Sequence, residues 1–384
     1  MSRAPDVAVV GAGIVGAACA LFLARSGARV ELLEQAFPGA GSSGAGEGNI
    51  LAWDKELERE LPLALRSAAL WRELAGELAP YVEYDHKGSI VVTETEAGLR
   101  AAHERADVLG PLGVASAPLS AAELRDEEPL SAPDLPGGVL YPDDAQVEPR
   151  LATAALVRRA VAEGARLRAG VAVEGIERDG SGRAVALATG TGRVPAGAVV
   201  VAAGAWTGTL LERCGLPVPI RPRKGQIIVL ERSAAPVRRK LNEAGYLSAV
   251  ESAEEQLQVA MVVESTRNGT TLIGSSRELR GFDRTVDVAV AAAMARRAVR
   301  FFPGLRELSV IRTYAGLRPF APDHLPLIGP LPGAENVCVA SGHEGAGIGL
   351  APATGELVAA WHAGERPPAL AGFSPARFAE VAGA

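Results

Sequence analysis

The stretch DVAVVGAGIVG, residues 6–16, constrains this chain more than any other. Asp6 to Val10 read as a buried strand, and Gly11, Gly13 and Gly16 follow in a Gly-x-Gly-x-x-Gly spacing. The apolar run continues to residue 24, with Arg3 ahead of it, so a membrane span is the first reading to test. Three glycines argue against one unbroken helix. A strand over residues 6–10, a turn, a helix over 14–26 and a second strand over 29–33 account for every break. No membrane span is expected.

In that setting each residue has a physical task. Gly11 makes a tight turn, Gly13 lets the backbone meet a pyrophosphate, and Gly16 lets helix and strand pack closely. The helix start at Ile14 and Val15 offers free N–H groups and a positive dipole end to an anion. Glu34, 23 residues beyond Gly11 (34 − 11), is placed to accept hydrogen bonds from a ribose. The pattern reads as a dinucleotide site; a glycine-rich turn in an α/β protein without a nucleotide is the competing reading. NAD and FAD are not separated by the fingerprint itself. Residues 38–50, PGAGSSGAGEGNI, form a small polar loop where a nicotinamide domain would start its next βα unit. Such a loop can wrap an extended cofactor, or can be a solvated surface loop.

Length and composition frame the rest. A chain of 384 residues suits two domains, and 48% hydrophobic with 22% charged residues is ordinary for a globular protein. The net charge of −6 has no basic stripe within it, which argues against nucleic acid. Cys19, Cys214 and Cys338 lie far apart, so no metal or disulfide spacing exists and a reducing cytoplasm fits. Parallel βαβ patterns alternate with antiparallel ones. A helix over 149–164, strands over 171–176, 185–188 and 198–201, and the small-residue exit "AAGAW" (Ala202 to Trp206) are of the first kind. Residues 86–96 and the runs GQIIVLE and TTLIG are of the second. The expected fold is α/β: a Rossmann-type domain of residues 1–85, 141–218 and 315–384, interleaved with an antiparallel-sheet domain of 86–140 and 219–314.

Near the other end lies SGHEGAGIGLAPATGELVAAW, with four glycines in residues 342–349 and a helical pattern expected over 351–360, Pro352 in its first turn. Glycine this dense costs backbone entropy, which a close approach to a ligand would offset. Taken in order, the N-terminal fingerprint, AAGAW, RPRKGQI, YAGLRPFAPDHLPLIGP and GHEGAGIGLAP resemble the D-amino-acid oxidase-type flavoprotein superfamily. The branch they resemble holds glycine oxidase, sarcosine oxidase and hydroxyproline dehydrogenase, over nearly the whole chain. The resemblance implies FAD and oxidation of a C–N bond next to a carboxylate, giving an imine from a D-amino acid, an N-methyl amino acid or a proline-like imino acid. It implies non-covalent FAD, since no cysteine or histidine stands where some sarcosine oxidases attach theirs. It also implies one of two electron acceptors, oxygen or an electron-accepting partner subunit, and GHEGAGIGLAP looks more like the dehydrogenase members.

Residue by residue, the resemblance assigns FAD contacts to Gly11, Gly13, Ile14, Val15 and Gly16 at the pyrophosphate, and to Glu34 and Gln35 at the ribose. Ser42, Ser43, Glu47, Gly48 and Asn49 would line the ring and its linker, with Val173 by the adenine and Ala203, Gly204 and Trp206 against the cofactor. Gly342, His343, Glu344, Gly345, Ala346, Gly347 and Ile348 would close over the ring. Arg318 falls where the substrate carboxylate binds, a planar fork on a planar anion. Glu344, His343 and Tyr246 complete the substrate-binding candidates. No side chain is required as an acid or base. An FAD-dependent 2-hydroxy acid dehydrogenase, an FAD-holding subunit of a hetero-oligomeric dehydrogenase, and a nicotinamide enzyme remain as alternatives.

Overall fold

A computed structural model describes residues 4–245 and 257–378. One six-stranded sheet runs in the order Leu327–Leu331, Ala334–Ser341, Ala198–Val201, Val7–Val10, Val30–Glu34, Arg166–Ala169. Its pairings are parallel except for the outermost, Leu327–Leu331 with Ala334–Ser341. Such strands are covered on both faces, so the valine runs are continuous rather than alternating. Helices Ile14–Arg25, Pro149–Ala162 and Gly347–His362 pack on one face, and a three-stranded antiparallel sheet of Val173–Arg178, Ala184–Thr189 and Gly192–Pro195 belongs to the core on the other. The first and last of these helices touch through a glycine: a Cβ on Gly355 would lie 2.8 Å from the Ala18 carbonyl. The N-terminal and C-terminal segments of the fold therefore meet through these two helices.

The second sheet has eight strands, in the order Val310–Phe320, Arg221–Arg232, Thr270–Arg277, Gln258–Ser265, Lys240–Glu243, Ser89–Val92, Gly137–Tyr141, Ala117–Ser120. It is mixed rather than purely antiparallel: Lys240–Glu243 runs parallel to Ser89–Val92. Those two strands come from different stretches of the chain, so no hairpin dictates their direction. Helix Val288–Phe301 covers one face with Val290, Met294, Ala298 and Phe301 at helical spacing. The strand expected over 86–96 is shorter, because Thr95 accepts a hydrogen bond from Gly98 N and caps a helix beginning at Glu96.

A second correction concerns the C-terminal helix. It starts at Gly347, so Pro352 lies inside it. A proline there cannot donate to the carbonyl four residues earlier. Helix Glu60–Leu78 fills the gap: Trp71 Nε1 donates to Ile348 O at 2.9 Å, and Ser67 Oγ donates to Gly349 O at 2.6 Å while accepting from Ala353 N at 3.3 Å. Among the described residues no helix is long and apolar enough to cross a membrane.

Candidate cofactor and substrate site

A cavity of about 650 Å³ is lined by residues of the six-stranded sheet and its turns and by residues of the eight-stranded sheet. At one end stands the N-terminal turn. Gly11 has φ +99°, and a Cβ there would lie 2.6 Å from Ala202 O, while a Cβ on Gly16 would lie 1.9 Å from Gly11 O. The turn is thus compressed until only backbone faces the cavity at Gly11 and Gly13. Ile14 N donates to Ser43 Oγ at 2.9 Å, which brings the serine loop to the helix start. The Glu34 carboxylate is held by Ala12 N and Ala36 N, each at 2.9 Å, so both oxygens are fixed in place beside the cavity. Val15, Gln35 and Val173 complete this end.

The loop after Glu34 lies along the cavity. Ser42 donates to Leu317 O, Arg150 Nε donates to Gly44 O at 2.8 Å, and Gly48 is seated so close to Val147 O that its Cβ would be 1.9 Å away. Ser42, Ser43, Glu47, Gly48 and Asn49 all reach the wall, as do Ala203, Gly204 and Trp206 opposite.

At the far end the N-terminus of helix Gly347–His362 enters the wall through Gly347 and Ile348, with no side-chain cap on its first N–H groups. His343 is buried, and its Nε2 lies 2.9 Å from Thr354 Oγ1, whose hydroxyl donates to Leu350 O. The histidine therefore donates through Nε2 and presents Nδ1 as an acceptor, buried and without a partner among the described residues. Burial pushes its pKa down to about 3, so it is neutral at physiological pH. Glu344, at φ +46°, turns its carboxylate to His324 Nδ1 at 3.0 Å and to the buried Arg223 Nη1 at 3.4 Å. Burial lowers the pKa of Arg223, whose guanidinium lies 5.2 Å from the Phe320 ring centroid.

Arg318 stands on the sheet wall of the cavity and donates to Ser276 O at 2.8 Å. Its guanidinium occupies the space a side chain at 225 would need: a Cβ on Gly225 would meet Arg318 Nη1 at 2.0 Å. Two more strand glycines shape this wall. Gly316 faces Ala45, whose Cβ would be 2.7 Å from a Cβ there, and a Cβ on Gly274 would lie 1.8 Å from Glu47 Oε1.

These residues fit FAD. A backbone cradle and a helix start await a diphosphate, a fixed carboxylate awaits a ribose, and a second helix start awaits an electron-rich ring edge. The buried unpartnered acceptors His343 Nδ1 and Asn49 Oδ1 suit the ring N–H of a flavin. Residues 6–361 match the family described as DAO, FAD dependent oxidoreductase. The chain belongs to this family. It is an FAD-dependent oxidoreductase of the glycine oxidase-like branch. Glycine oxidase of Geobacillus kaustophilus (strain HTA426) is 32% identical over 367 residues, covering 94% of this chain and 93% of that one. Hydrogen cyanide synthase subunit HcnC of Pseudomonas aeruginosa is 30% identical, covering 98% and 97%. The crystal structure of the Geobacillus kaustophilus glycine oxidase superimposes with a TM-score of 0.87 at 30% identity, over 97% of this chain and 98% of that one.

Of the residues expected at this oxidoreductase's site, Gly16, Gly342 and Ala346 stand behind the wall rather than on it. Gly16 packs on Gly11, Gly342 turns the chain at φ +83°, and Ala346 precedes the helix. Gly345 is on the wall; Tyr246 lies outside the described residues. Gly225, Gly274, Gly316 and the Arg223 partner of Glu344 were not among the expected residues. Glycine inside β-rich runs marks close approach of another group, and that signal was present at 225, 274 and 316.

Proposed function

We propose that this oxidoreductase oxidises the C–N bond of an amino or imino acid beside its carboxylate. The observation that carries the reading is Arg318, a guanidinium set on the cavity wall against a side-chain-free Gly225. It offers a bidentate anchor for a carboxylate. Bound FAD supplies the two-electron acceptor for the hydride leaving the carbon next to nitrogen. The protein's share is position: Arg318 fixes the carboxylate, and the neutral His343 and the start of helix Gly347–His362 hold the redox end of the cavity. The nitrogen lone pair must be free when hydride departs, so turnover rises with pH toward the bound amine's pKa. Similarity to a hydrogen cyanide synthase subunit supports assembly with a partner subunit.

The test is anaerobic. Purified holoprotein is mixed with D-amino acids, N-methyl amino acids, cyclic imino acids and 2-hydroxy acids while the flavin bands are followed. Bleaching by an amine-bearing acid is the expected result, and Arg318→Ala weakens its binding by about 30-fold or more. Bleaching by hydroxy acids alone, or by none of the panel, overturns the reading. Reoxidation by air and by an artificial dye then separates oxidase from dehydrogenase.

A further inference from the structure

Behind the cavity wall lies a buried row of charges that the reading above leaves without a role. Lys240 Nζ stands 2.7 Å from Glu264 Oε2 and 3.8 Å from Glu47 Oε2, and all three side chains are nearly or wholly withdrawn from solvent. Two carboxylates therefore share one ammonium. The next cation along, Lys87, has its own carboxylate at 3.8 Å in Asp85 and donates to Ser265 O. The row carries one negative charge in excess when its acids are ionised. An unbalanced buried anion is costly until a cation or a proton joins it.

The excess is presented to the cavity at one point. Glu47 lines the wall, and its Oε2 accepts from Asn49 Nδ2 at 3.2 Å. Its Oε1 is buried without a partner among the described residues, over Gly274, where any side chain would collide with it. Glu47 is nine-tenths buried, so this oxygen is not simply hydrated. Gly274 lies on Thr270–Arg277, the neighbour of strand Arg221–Arg232, which carries Gly225 under Arg318. Ile228 pairs with Ile273, so Gly274 and Gly225 stand diagonally across the two strands. Such neighbours are about 7–8 Å apart, a gap that a molecule with carboxylate and ammonium on one carbon bridges with a hydrogen bond at each end.

We propose that Glu47 recognises the substrate's ammonium group, so that the site selects amino and imino acids over hydroxy acids. The inference rests on the function proposed above. Arg318 takes the anionic end of a zwitterion and Glu47 the cationic end, and the ligand's charge balances the buried row. A hydroxy acid offers the first contact without the second.

The experiment compares isosteric ligands on wild-type and Glu47→Gln holoprotein, with FAD content read from absorbance. Proline and tetrahydro-2-furoate differ by NH₂⁺ against a ring oxygen; glycine and glycolate form a smaller pair. Dissociation constants come from perturbation of the flavin spectrum. Glu47→Gln should weaken the amine-bearing member by about 30-fold or more and leave its amine-free counterpart within about threefold. Equal effects on both members, or none on either, overturn the proposal. Glu264→Gln, which lies behind the wall, should move the same ratio in the same direction by a smaller factor and serves if Glu47→Gln does not hold FAD; an unmoved ratio there also counts against it. A wild type whose flavin no amino or imino acid bleaches sinks the underlying function; a responsive wild type with an unmoved ratio sinks this inference alone.

Discussion

Two helices point their N-termini into the same cavity, and they are built in opposite ways. Helix Ile14–Arg25 begins from a turn whose tightest contact is its own: Gly11 and Gly16 press backbone on backbone within six residues, with Ala202 and Ser43 closing in from outside. Helix Gly347–His362 begins from a loop held by Ser67 and Trp71 of Glu60–Leu78, far off in the chain, and by Thr354 two turns into the helix itself. The first is a local device and tolerates nothing larger than glycine. The second is a distributed one, and each support can be removed by itself.

That asymmetry sets the order of expected effects. Gly16→Val drives a branched side chain into Gly11 O and should cost roughly 3 kcal/mol or more, with FAD lost, as read by denaturant midpoint and flavin content. A variant that folds with normal FAD would show that the turn is less compressed than its geometry implies. Gly225→Ala acts on the sheet wall instead: it displaces the Arg318 guanidinium, so substrate KM should rise by about 30-fold with FAD retained. Loss of FAD with an unchanged KM would assign Gly225 to the cofactor rather than to the substrate.

The second helix should respond more gently. Trp71→Phe leaves Ile348 O unpaired beside Pro352, and about 1–2 kcal/mol of stability should go while Gly16→Val-like loss of FAD does not follow. The bracing helix also starts with a buried acid. Burial raises the pKa of Glu60 to about 7 from an ordinary value of 4.5. The folded state therefore keeps a proton that the unfolded chain gives up. Stability from that proton is fully present below about pH 4.5 and is lost as pH rises through about 7. Glu60→Gln should gain on the wild type between those values and hold a constant advantage above them, in melting temperatures measured across pH. A flat difference would mean that Glu60 is ionised in the fold.

The same contrast explains what could be read from sequence. The first turn was legible because most of its mechanism is local: residues 6–10, three glycines and Glu34 carry strand, cradle and ribose contact in one stretch, and only the contacts with Ala202 and Ser43 come from outside it. The start of the second helix was not, because Pro352 looks like a first-turn residue until Trp71 and Ser67, remote in sequence, are seen repairing the gap it leaves. The parallel pairing of Lys240–Glu243 with Ser89–Val92 was hidden for the same reason, since it joins strands from separate stretches. The pairing of Glu344 with Arg223 likewise depends on a left-handed backbone at 344 and on a strand far away in the chain. Arg318 could be named from its motif, but its setting against Gly225 needed two strands in register.

The most direct test of the whole account is a crystal structure of the holoprotein with tetrahydro-2-furoate. The account predicts the FAD diphosphate against Gly13, the flavin ring beside the start of helix Gly347–His362, and the ligand carboxylate within hydrogen-bond distance of Arg318. A flavin seated elsewhere, or a carboxylate bound away from that guanidinium, would contradict it.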